Sequence, residues 1–141
     1  FGNVPIYLHE ANHPWVVRPD PAIQFWDGDK RPLADDVTLV RCGGHFPGST
    51  ALHWASGAGG KGVLLAGDTV MVLPDPRWVS FMYSFPNLIP LPPSAVRGIV
   101  AAVEPFAFDR LYSGWFDAVV SSDAKGAVAR SAERYIRAMQ D

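Results

Sequence analysis

Two sets of residues in this chain have the types and spacing to hold a metal. One is distributed. His45 lies in Val40-Arg41-Cys42-Gly43-Gly44-His45-Phe46-Pro47-Gly48-Ser49-Thr50, and Asp68 lies in Gly67-Asp68-Thr69. A neutral imidazole and a carboxylate are both zinc ligands, and the carboxylate could bridge two ions. The other set is contiguous, His9-Glu10-Ala11-Asn12-His13, and matches the H-E-x-x-H pattern of zinc proteases. That chemistry puts both histidines on one helix face with the glutamate as general base. Here Pro14 follows immediately and biases His13 away from helical geometry. A polar strand end with exposed side chains is the better reading of His9 and His13.

The elements that must position His45 and Asp68 can be read from the flanking residues. An apolar run from Val37 to Val40 ends in two glycines, which free the backbone to take positive φ or to approach another group closely. Pro47-Gly48 suits the central pair of a type II turn. His45 is therefore expected in a tight loop at a strand end. Val63 to Ala66 is a buried strand of continuous apolar character that delivers Asp68 at its own end. Val4 to Leu8, Ala22 to Trp26, Asp36 to Cys42, Thr50 to Ala55 and Phe108 to Ser113 read as further strands. Val70 to Leu73 extends the sheet. Gly57 to Gly62 reads as a flexible hairpin loop, and the proline-rich middle as a loop crossing the surface. Ser94 is the expected N-cap of a helix with Val96, Ile99, Val100 and Val103 on one face, ended by Pro105. A last helix is expected from about Asp123 to Met139. Strands first, then strand alternating with helix, argue for a layered α/β protein with helices packed on one face.

The totals narrow the function classes. A 141-residue chain that is 48% hydrophobic and 18% charged is a single folded domain rather than a disordered one. A net charge of −2 offers no footprint for nucleic acid or an anionic membrane. Cys42 is the only cysteine, which excludes an intrachain disulfide and a thiolate zinc site. It reads as a small buried hydrophobe. No apolar run reaches the roughly 18 residues of a spanning helix, and no signal sequence is evident, so a cytoplasmic location is the default expectation.

Gly44-His45-Phe46-Pro47-Gly48-Ser49, then Leu52-His53, then Leu64-Leu65-Ala66-Gly67-Asp68-Thr69 resembles the second half of a metallo-β-lactamase superfamily domain. Val4 to Glu10 likewise resembles the strand that follows that family's first metal motif, which accounts for the protease-like match without a helix. The resemblance implies an αββα sandwich, here mainly its C-terminal half. It implies that His45 binds metal and that Asp68, the expected catalytic carboxylate, bridges one or two zinc ions. The family's H-x-H-x-D-H motif would lie upstream of Val4, where only Phe1-Gly2-Asn3 stands, so the domain is expected to be incomplete at its N-terminus. Its last histidine ligand would fall at Trp115, whose indole is only a donor.

Two functions from different classes follow. The first is a hydrolase in which a metal-bound hydroxide attacks an ester, amide, thioester or phosphoester, with substrate docked near Trp115 and the loop from Trp78 to Phe85. The second is a metal-free relative that uses the same cleft to bind a small ligand or a protein. The bare sheet face of a half-sandwich would be apolar, which suggests a homodimer.

Overall fold

The computed structural model describes residues 4–140. The expectation about the segment upstream of Val4 falls on Phe1 to Asn3, outside the described residues. β1 (Ile6–His9) and β2 (Ile23–Trp26) pair in parallel as a two-stranded unit. β3 (Lys30–Ala34), β4 (Val37–Arg41), β5 (Thr50–Trp54) and β6 (Val63–Gly67) run antiparallel, each beside the next. β7 (Met71–Val72) pairs with β8 (Val79–Ser80), and β9 (Met82–Ser84) with β10 (Ile89–Pro90). A helix over Pro93–Val103 then crosses back so that β11 (Arg110–Ser113) lies parallel to β6, and β12 (Val119–Val120) closes that edge. The result is a six-stranded mixed sheet in the order β12-β11-β6-β5-β4-β3.

Register decides which residues face the helices. Val40 pairs with Ala51, and Leu64 pairs with Leu111, so these side chains share one face. They form one cluster with Val96, Ile99 and Val103 of the first helix and Ala124, Ala127, Val128 and Ala132 of the C-terminal helix, Ala124–Ala138. Leu64, Ile99 and Leu111 are completely buried, each contributing about 1.5–3 kcal/mol relative to exposure. Both helices lie on this face, as their apolar periodicity suggests. The opposite face carries the row Leu39, Leu52, Leu65 and Tyr112, of which Leu65 is 43% exposed.

Four local expectations are corrected. β3 is an extra edge strand that its Pro32 obscured; proline fits there because an edge strand has one unpaired side. Val70 to Leu73 does not extend the sheet but contributes β7 to a separate ribbon. The proline-rich middle is not a surface loop: its Val79, Phe81 and Leu91 are buried in the core. The first helix is capped by Pro92 rather than Ser94, with Pro93 in its first turn, where a missing N–H costs nothing. The glycine-rich hairpin between β5 and β6 is a tight turn that packs Gly57 against Val63 and Trp54. No helix among the described residues is long and apolar enough to cross a membrane.

Candidate functional site

The loop after β4 is built from its glycines outward. Gly43 and Gly44 both take positive φ, 65° and 86°. Gly44 also approaches the first helix so closely that a Cβ would lie 2.8 Å from Ile99 Cδ1 and 3.0 Å from Leu91 Cδ1. The Cys42 and Gly43 N–H groups both donate to the Ser49 carbonyl, and Ser49 Oγ accepts from the Phe46 N–H at 2.8 Å. The Phe46 carbonyl accepts from the Ser49 N–H, closing the turn over Pro47-Gly48. This is not the expected type II turn, because Gly48 does not take positive φ. Gly48 is small for a different reason: a Cβ there would meet Asn12 and His9, and its N–H donates to Asn12 Oδ1 at 2.8 Å.

That contact shows what the H-E-x-x-H stretch does. Glu10–Trp15 is a short 3-10 helix rather than an α-helix with two histidines on one face. His9 is buried rather than exposed as expected, and it uses both ring nitrogens: Nδ1 accepts from the Ala11 N–H at 3.1 Å, and Nε2 donates to the Gly28 carbonyl at 3.0 Å. His13 stacks on Phe25. His53 is also structural, buried with Nε2 donating to the Ala107 carbonyl at 2.7 Å. Cys42 is buried, and desolvation pushes its thiol up to about 11.

His45 and Asp68 are brought together. Gly67 takes φ 51° at the end of β6, and the β6–β11 register slips at Ser113, so Asp68 leaves the sheet at its end. His45 Nε2 lies 3.9 Å from Asp68 Oδ2, too far for a hydrogen bond. His45 Nδ1 is 3.1 Å from the Met82 carbonyl. A carbonyl only accepts, so Nδ1 carries the hydrogen, and in the neutral ring Nε2 keeps its lone pair toward Asp68. The Asp68 side chain is half exposed, whereas that of His45 is only 15% exposed.

Trp115 stands at the same site. The Gly114 N–H donates to the Gly67 carbonyl at 3.1 Å, and a Cβ on Gly114 would lie 2.7 Å from Asp68 Oδ1. The Trp115 ring packs on Phe85 at 6.3 Å, and Phe85 packs on His45 at 5.3 Å. Trp78 lies elsewhere: its ring sits under Arg134 at 4.5 Å, against the C-terminal helix. Sequence reading missed Phe85 and the Met82 carbonyl as partners of His45. Nothing in a single sequence ties residues 37 or 40 positions apart; the expected docking loop from Trp78 to Phe85 contains both without pairing either with His45. Among the described residues, no group of three or more His, Cys, Asp or Glu side chains converges as a metal site.

Fold and site define a mixed α/β protein with a histidine–carboxylate pair at one end of its sheet. The chain is 51% identical over 135 residues, 96% of its length, to an uncharacterized protein of Bacillus subtilis (strain 168), YmaE. It spans about half of that relative, 49% of its length. No family model and no solved structure matches the chain.

Proposed function

We propose that this chain carries part of the metal centre of a metallo-β-lactamase-like hydrolase, with His45 and Asp68 as two of its ligands. The observation that carries this reading is the oriented imidazole. Nδ1 is tied to a backbone carbonyl, and Nε2 faces a carboxylate at 3.9 Å across a gap that no protein hydrogen bond fills. Metal-ligating histidines are commonly fixed in this way through the other nitrogen. The separation is shorter than two zinc–ligand bonds of about 2.0–2.2 Å end to end, so the two donors can share an ion. They fit as a part of a coordination sphere and not as the whole, because a catalytic zinc takes three protein ligands. The remaining ligands, and the second layer of an αββα sandwich over Trp54, Leu65 and Tyr112, would come from further sequence of a longer protein or from a second copy of this chain. YmaE, about twice the matched length, supports the first source.

Zinc held there would supply Lewis-acid polarisation and a more acidic water for cleavage of an ester, amide, thioester or phosphoester. The chain's own contribution is orientation. Met82 fixes the His45 ring, the Gly67 turn sets the Asp68 carboxylate, and Phe46 and Phe85 keep bulk water off the imidazole's flanks. A second reading, a metal-free binding module for a small ligand or protein, is favoured by Trp115, an aromatic donor where the resemblance places a histidine. Metal content separates the two. Full-length protein purified without chelator should carry stoichiometric zinc, and His45→Ala should lose it. Absence of metal from both proteins would refute the hydrolase reading and leave the binding module.

A further inference from the structure

We infer that the His45–Asp68 site takes a ligand with an aromatic body, an aryl-substituted ester or amide rather than an aliphatic one. The inference rests on the proposed function for the identity of the polar end, and deepens it for the rest of the molecule. Its basis is a continuous arc of rings centred on His45. Trp15 meets Phe46 at 5.3 Å, Phe46 meets His45 at 4.9 Å, His45 meets Phe85 at 5.3 Å, and Phe85 meets Trp115 at 6.3 Å. All four contacts are edge-on, with interplanar angles of 66–82°. Edge-on packing uses the rim of one ring against its neighbour and leaves other ring faces open to a visitor.

The rings come from four separate segments: the 3-10 turn, the glycine loop, the β9–β10 hairpin and the loop after β11. A core role does not account for them, since Trp15 is 60%, Phe46 38% and Trp115 59% exposed. Large apolar side chains clustered in the open around a polar pair mark a recognition surface more often than scattered exposure does.

The test compares N-benzylacetamide with its saturated counterpart N-(cyclohexylmethyl)acetamide, by titration of full-length protein followed through tryptophan indole NMR shifts. The two amides match in carbon count, so burial alone gives the aromatic one no advantage. Ring-to-ring contact should make N-benzylacetamide bind about 2- to 12-fold tighter. Trp115→Leu and Phe85→Leu, each of which keeps an apolar side chain, should erase that preference. Equal or tighter binding of the saturated amide, no binding of either, or a preference that survives both substitutions would overturn the inference. Repeating the titration with chelator and with added zinc separates the two proposals. An aryl preference that persists in chelator supports the aromatic site even if the metal reading fails. Bound zinc without aryl preference overturns the aromatic site alone.

Discussion

Gly44→Ala should cost about 2–5 kcal/mol of folding stability, and the structure divides that cost into two parts. A residue with a Cβ at the Gly44 φ of 86° carries backbone strain of about 1–2 kcal/mol. The new methyl would lie 2.8 Å from Ile99 Cδ1 and 3.0 Å from Leu91 Cδ1. Both neighbours are buried, so overpacking adds about 1–3 kcal/mol. Ile99→Val removes the nearest atom. Alone it should cost about 0.5–1.5 kcal/mol for the lost methylene. In the double variant the Ile99 contact is relieved while the Leu91 contact and the backbone part remain, so the loss should fall short of the sum of the single losses by about 1 kcal/mol. Urea unfolding followed by tryptophan fluorescence, on all four proteins of the cycle, gives the numbers. A Gly44→Ala loss below about 1 kcal/mol would refute the backbone and packing account together. Coupling below about 0.5 kcal/mol, the ordinary error of additivity, would refute the contact with Ile99.

Three further outcomes are expected besides the zinc and aryl-amide tests. The Cys42 thiol, raised from its ordinary 9.0 to about 11 by burial, should have about 100-fold less thiolate near pH 8 than a free cysteine. A disulfide reagent should therefore label it slowly in native protein and rapidly in urea; equal rates would contradict its burial. Below pH 9.0 the thiol is neutral whether folded or not. As pH climbs toward 11 only the unfolded thiol ionises, so this contribution to stability is lost over that window. Tyr135→Phe should cost about 1–2 kcal/mol, read as a lower urea midpoint at unchanged slope. The Tyr135 hydroxyl donates toward the Leu91 carbonyl at 2.8 Å and the Phe81 carbonyl at 3.1 Å, tying the middle segment to the C-terminal helix. An unchanged midpoint would show that those carbonyls find other partners.

What the sequence determined by itself is local. Glycine at positions 43 and 44 demanded a special backbone after an apolar strand, and both residues take positive φ. The periodicity of Val96, Ile99 and Val103, and of Ala124, Ala127 and Val128, selected the buried faces of both helices, because a helix repeats its face every 3.6 residues. Burial of Cys42 was legible from its type, because a free cysteine packs as a small hydrophobe. Tertiary structure decided the pairings. Gly48 reads as a turn residue in sequence, but its smallness serves Asn12, which is 36 positions away. His9 and His13 match a metal motif, but His9 spends its ring nitrogens on the Ala11 N–H and the distant Gly28 carbonyl, and His13 packs on Phe25. Trp78 and Trp115 are equivalent as letters, and only the folded chain puts one under Arg134 and the other beside Phe85. Strand register and loop closure bring His45, Asp68 and the Met82 carbonyl into one place, and neither is encoded at any single position.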